Sequence, residues 1–280
     1  MTCMRNKSLL LSLVLLMLTL ATQVLAYDFK SGELYYTIVS QRDKTVEVAY
    51  GKTTYSNRVV VPARVKYQNK LWEVIGLGTD AFYGSNKLTE LVLPEGMKYI
   101  AGGALDYCSS LTKLTLPEGI TLRSYALRHA GLVYLRVPGT ARQLADYHGQ
   151  LSNLQWLTAV ELAEGVETIP VGAFQFDSKL ERVKLPSTLR RIGKHAFVGC
   201  DSLKVLDIPS SVETMGRVVD FGECALREIY VHWTMPIRIA PGTFPRETYL
   251  NAVLYVPKNT KVWYRQTVGW RNFKNIVEVE

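Results

Sequence analysis

LERVKLPSTLRRIGKHAFVGCDSLKVLDIP, residues 180–209, is the stretch whose reading decides the fold. The pattern L-x-x-[VL]-x-[LI]-P occurs in it twice, as Leu180, Val183, Leu185, Pro186 and as Leu203, Leu206, Ile208, Pro209. The two copies start 23 residues apart. Between them lie Ile192-Gly193, Ala196-Phe197 and Gly199-Cys200. In each copy, alternate residues after the first leucine point to opposite sides of an extended chain. The closing proline has no N–H to give a ladder, so it ends the strand.

Extended outward, the pattern has starters at Leu88, Leu111, Leu132, Leu157, Leu180, Leu203 and Leu226, with steps of 23, 21, 25, 23, 23 and 23 residues. A period of this length with this leucine spacing predicts a leucine-rich-repeat solenoid of short parallel strands. A second ladder runs through Phe82, Leu105, Leu127, Leu151, Phe174, Phe197, Phe221 and Phe244. These side chains are expected to stack in one continuous core. Cys108 and Cys200 stand three residues before a starter leucine and Cys224 two, which places them as stacked structural thiols, with Cys200 and Cys224 in adjacent turns. Whether Cys200 and Cys224 bond is left open by spacing alone.

Both ends differ from the repeats. Arg5 and Lys7 precede an apolar run from Leu9 to Leu20, and Val24-Leu25-Ala26 follows. That order predicts a secretory signal peptide over residues 1–26; the run is short of the ~20 residues a membrane span needs. Removing it takes Lys+Arg from 33 to 31, leaves Asp+Glu at 25, and brings the net charge from +8 to +6. The remainder, 27–280, reads as a single solenoid domain. Residues 27–80 form a β-rich N-terminal cap, with hairpins at Leu34–Tyr50 and Val65–Val74 and a strand at Val59–Val61. Residues 81–232 hold the repeats. Residues 233–280 hold the last repeat and a small α/β C-terminal cap, with a helix after Asn259-Thr260 and a final strand at Asn275–Val279. Residues 138–156 break the pattern, and Leu144, Tyr147 and Leu151 there have helical spacing.

The unit L-x-x-[VL]-x-[LI]-P…I-G-x-x-A-F-x-G-C, cleanest at Leu180–Ser202, resembles the BspA-like leucine-rich repeats of bacterial exported and surface proteins. Leu254-Tyr255-Val256-Pro257-Lys258 and Trp270–Ile276 are similar to the usual ending of such arrays. The resemblance spans essentially the whole chain after residue 26. It implies a role in adhesion and binding at the cell surface; it carries no fixed ligand residues.

The residues point to no reaction. The four histidines, His129, His148, His195 and His232, lack metal-ligand spacing. No phosphate loop, G-x-S-x-G or H-E-x-x-H is present. Neither metal, cofactor nor nucleic-acid partner is expected, and no membrane span remains after signal cleavage. The exposed strand face is the candidate site, and Tyr134, Arg136, Arg182 and Lys184 form a partly aromatic, basic patch on it. Such a patch fits a protein or glycan partner, particularly an acidic one. The expectation is an exported, non-enzymatic interaction module; a hydrolase of envelope or host polymers and a ligand-free spacer are the alternatives.

Overall fold

The computed structural model describes residues 27–139, 151–215 and 220–280. The proposed signal peptide and most of the 138–156 segment lie outside them.

The chain opens with β1 (Phe29–Ser31), β2 (Leu34–Ser40) and β3 (Thr45–Ala49), paired antiparallel in sequence. After β4 (Ser56–Val60) comes the hairpin of β5 (Arg64–Tyr67) and β6 (Lys70–Leu77). It turns at Gln68 and Asn69, both with positive φ, 48° and 58°. Two left-handed central residues give the tight turn whose twist suits a hairpin.

Each later turn of the coil lays down a face strand, and most add a shorter second strand. The described ones are β7 (Lys87–Val92) with β8 (Tyr99–Ile100), β9 (Lys113–Leu114) with β10 (Thr121–Leu122), and β11 (Tyr134–Val137). Then follow β12 (Ala159–Leu162) with β13 (Thr168–Ile169), and β14 (Arg182–Lys184) with β15 (Arg191–Ile192). β16 (Val205–Ile208) with β17 (Thr214–Met215) and β18 (Glu228–Val231) complete the repeats. The end is built from α1 (Arg246–Asn251), β19 (Val253–Pro257), α2 (Lys261–Gln266), a 3-10 turn at Trp270–Asn272 and β20 (Asn275–Val279). The result is the parallel-stranded repeat solenoid that the sequence predicts.

All seven starter leucines are buried, as are all eight members of the second ladder. Phe174, Phe197, Phe221 and Phe244 form a column of stacked rings with centroids 5.3, 5.4 and 4.9 Å apart. One cluster of buried side chains runs from Phe29 to Ile276, so cap, repeats and ending share a core.

The face row is longer than the seven marked copies. β4 pairs parallel with β7 at one end, and β19 and β20 continue the row beyond β18 at the other. At α2, Thr260 holds the N-cap position as expected but does not cap with its side chain. Its hydroxyl donates to the Pro257 carbonyl. The Lys261 N–H finds its acceptor in Glu278 Oε1 at 2.8 Å instead, on the neighbouring β20.

The three described cysteines are free and buried. Each thiol donates to a carbonyl of the preceding turn: Cys108 to Phe82 at 3.2 Å, Cys200 to Phe174 at 3.1 Å, Cys224 to Phe197 at 3.0 Å. Burial pushes the Cys108 thiol up to about 12, so it stays protonated and poorly nucleophilic. Cys200 is also pushed up, first by its contact with the Cys224 thiol and then by burial.

Asp177 stands in the same column, three residues after Phe174 as Cys200 is after Phe197. It is wholly buried; Oδ1 accepts the Leu154 N–H at 2.7 Å, while Oδ2 has no partner among the described residues. Burial raises its pKa well above the usual carboxylate range, outweighing the one N–H. A folded pKa above the unfolded one means the native state holds the proton longer. The stability this gives is complete below the unfolded pKa and is lost as pH rises through the folded one. Urea midpoints measured from about pH 4 to about pH 8 are expected to fall more steeply for the wild type than for Asp177→Asn, which keeps an oxygen for Leu154. Equal slopes would contradict the assignment.

Candidate interaction face

Along each face strand, the second and fourth residues after the starter leucine point outward. The ladders fix their order. Tyr134, Ala159 and Arg182 lie side by side in one row, and Arg136, Glu161 and Lys184 in the next. All four residues singled out from the sequence therefore lie on two adjacent rows of three paired strands.

Their electrostatics are not those of a basic patch. Glu161 stands between Arg136 and Lys184. Its Oε1 accepts from Lys184 Nζ at 3.0 Å and its Oε2 from Tyr134 OH at 3.0 Å. Those contacts, Lys184 first and then Tyr134, hold its carboxyl below the usual range. Arg136 Nη1 lies 3.7 Å from Glu118 Oε1. Arg182 makes no ion pair among the described residues. These residues thus form a mixed-charge network in which, of Arg136, Arg182 and Lys184, only Arg182 lacks a carboxylate partner among the described residues. Glu118 belongs to the bend after Pro117, which repeat spacing does not place beside the face.

The row is interrupted next to this network. β7 pairs with β9, and β11 with β12, but no ladder joins β9 to β11. The 21-residue step between Leu111 and Leu132 is the shortest in the array, and β9 is only two residues long. A cleft of about 520 Å³ opens there, lined among others by Glu90, Val92, Lys113, Thr115, Tyr134 and Arg136. Half-buried Leu93 and Leu114 give it an apolar component. Two of the four predicted residues, Tyr134 and Arg136, line the cleft; Arg182 and Lys184 do not.

Farther along, Tyr230 and Tyr255 extend the outer row, with rings stacked 4.5 Å apart and nearly parallel. Tyr255 escapes the repeat pattern because β19 lacks a starter leucine; its alternation, Leu254 and Val256 in and Tyr255 out, was the available signal. His232, standing where most repeats have proline, meets Asp207 Oδ1 through Nε2 at 2.6 Å. Among the described residues, no three His, Cys, Asp or Glu side chains group as metal ligands. No helix among them is long and apolar enough to cross a membrane.

Solved structures with this architecture include a leucine-rich repeat protein from Bacteroides ovatus, 18% identical, aligned over 90% of this chain and 77% of that one with a TM-score of 0.49. A leucine-rich cell surface protein from Faecalibacterium prausnitzii is 13% identical over 90% and 94% of the two chains, with a TM-score of 0.32. The leucine-rich repeat protein of T. pallidum is 19% identical over 85% and 95%, with a TM-score of 0.35. A comparison with curated proteins gives no match. The family model described as BspA type leucine rich repeat region, of 6 copies, matches residues 64–155 and 148–251. With its repeats matched over more than half its length, and its leucine and phenylalanine ladders stacked as that unit requires, the chain belongs to the BspA-type leucine-rich repeat family.

Proposed function

We propose that this chain is an exported, non-enzymatic module that holds a protein partner at the cell surface through its face strands. The contact centres on the cleft between β9 and β11 and on the rows that carry Tyr134, Arg136, Arg182 and Lys184. The observation that supports this most is the in-register placement of those residues on a rigid parallel ladder beside an open cleft. Tyrosine on a fixed scaffold loses little side-chain freedom on binding, and tyrosine and arginine both serve as anchors. Because Glu161 and Glu118 already neutralise part of the positive charge, the partner's acidic groups are met chiefly by Arg182. The network sets orientation and encounter rate more than affinity.

The test is an array of purified matrix and surface proteins and acidic glycans, probed with residues 27–280. A specific protein hit weakened at least ~100-fold by Arg136→Glu, Arg182→Glu and Lys184→Glu together supports the reading; like charges facing each other cost several kcal/mol. A hit unchanged by that triple variant, or a hit confined to glycans, overturns it. Turnover of a polymer on the array points to the hydrolase, and complete silence to the spacer.

A further inference from the structure

On the corner of the coil that precedes the face strands, a second site differs from that face in both chemistry and position. Aromatic rings crowd there in the open. Tyr107 is 45% exposed and Trp156 51%. The Tyr107 and His129 rings stack at 4.4 Å, and Tyr83 meets Tyr107 edge-on at 5.7 Å. Tyr107, His129 and Trp156 border a hollow of about 380 Å³ whose other walls include Asn86, Ser109 and Gln155. The side chains of those three make no hydrogen bond among the described residues. No Lys, Arg, Asp or Glu lines the hollow.

The backbone beneath the rings is strained. Two repeating positions of the turns fall in the left-handed region; at the one two residues after the core ladder, Gly84 has φ 70° and Gly199 φ 75°, while Asn153, Phe176 and Glu223 hold it without glycine at 58°, 65° and 63°. Tyr107 and His129 fill the corresponding positions with φ 59° and 57°. The hydrogen bonds confirm the correspondence: Gly84 N–H donates to the Asp106 carbonyl, Tyr107 to Arg128 and Gly199 to Gly222. Glycine adopts this conformation freely, whereas a bulky side chain there is an outlier. Phe176 puts a ring at this position farther along, but Tyr107 and His129 do so in successive turns and both of their rings line the hollow.

The His129 ring is also braced from behind. Its Nδ1 lies 2.9 Å from Oδ1 of the buried Asp106, whose other oxygen binds Arg128 Nε at 3.0 Å. This leaves Nε2 as the polar edge available to a ligand. Arg128 is paired, and no Lys or Arg is among the residues that line the hollow, so its wall offers no cation to an anion. Lys179 Nζ, 3.7 Å above the Trp156 ring, and Arg128 both oppose a cationic ligand. What remains is one face each of Tyr107 and Trp156, the other faces being taken by His129 and Lys179, beside two amides, a hydroxyl and an imidazole nitrogen. The flat C–H face of a sugar ring covers such rings while its hydroxyls bond to amides.

We propose that this corner is a binding site for an uncharged pyranose saccharide, stacked on Tyr107 and Trp156 and hydrogen-bonded by Asn86, Gln155 and His129. It is independent of the protein-binding face.

Titration calorimetry of residues 27–280 with cellotetraose, maltotetraose, mannotetraose and tri-N-acetylchitotriose, with trigalacturonic acid as the charged comparison, tests this. At least one neutral sugar is expected to bind with a dissociation constant of about 1 mM or below. Trp156→Ala is expected to weaken it at least ~10-fold. Tyr107→Gly is expected to abolish it without lowering the thermal midpoint, since it relieves the strained backbone. The triple charge reversal on the strand face is expected to leave it unchanged, so the two sites fail separately. Silence from all four neutral sugars, binding of the uronate alone, or unaltered binding in Trp156→Ala overturns the proposal. So does a Tyr107→Gly variant that loses stability and keeps the sugar.

Discussion

Phe197→Ala is expected to lower the unfolding free energy by about 3–5 kcal/mol. The Phe197 ring is fully buried and lies between Phe174 and Phe221, 5.3 and 5.4 Å away, nearly parallel to both. Removing it forfeits about 2 kcal/mol of burial and leaves a gap that two flanking turns cannot fill without shifting. In a solenoid, each turn is held mainly by its neighbours, so a break in the middle of the column weakens the turns on both sides together. Urea unfolding followed by far-UV circular dichroism measures this. The midpoint is expected to fall sharply, and an early phase is expected if the turns near residue 197 melt first. Leu71→Ala, at an exposed position of β6, is expected to stay within ~0.5 kcal/mol of the wild type. Equal effects from the two variants would mean that the ring column does not carry the stack.

Much of this column was legible because its physics is local and repeated. Leu88 through Leu226 recur at nearly fixed steps, and a fixed step with one apolar face has few solutions other than stacking. The alternation in Leu203–Pro209 likewise placed Val205 and Asp207 outside and Leu206 and Ile208 inside, as found. The hairpin at Gln68-Asn69 was legible for the same reason, since its turn chemistry lies within a few residues.

Relations between turns were less legible. Arg136, Arg182 and Lys184 read as a basic patch because the cations are evident in sequence. The register that sets Glu161 between two of them, and the bend that brings Glu118 to Arg136, exist only after stacking. Asp177 was hidden similarly. Its place in the thiol column follows from counting three residues past Phe174, but its burial depends on the turns above and below. The corner site escaped because its rings replace glycine at a position where the repeat pattern specifies only backbone shape. β4, β19 and β20 join the face without starter leucines, so leucine spacing could not extend the row to them.

The account rests on turns of about two dozen residues stacking in one register, and a designed cross-link reads that register directly. Ala159 and Arg182 are ladder partners on the outward face of β12 and β14. Adjacent strands lie about 4.8 Å apart, within the Cα separation of about 4.4–6.8 Å that a disulfide spans. Val205 lies on β16, past β14 and joined to it by no ladder, so it stands at least two strand spacings, about 9–10 Å, from Ala159, beyond reach. The three described cysteines are buried and do not compete in residues 27–280. Ala159→Cys with Arg182→Cys is therefore expected to oxidise to an intramolecular disulfide and to raise stability by about 3 kcal/mol, through a closed loop of about two dozen residues. Ala159→Cys with Val205→Cys is expected to remain reduced. The measurement is free-thiol mass spectrometry of both folded variants after mild oxidation. A bond in the first variant alone is the predicted result; a bond in the second alone, or in neither, would contradict the stacked register.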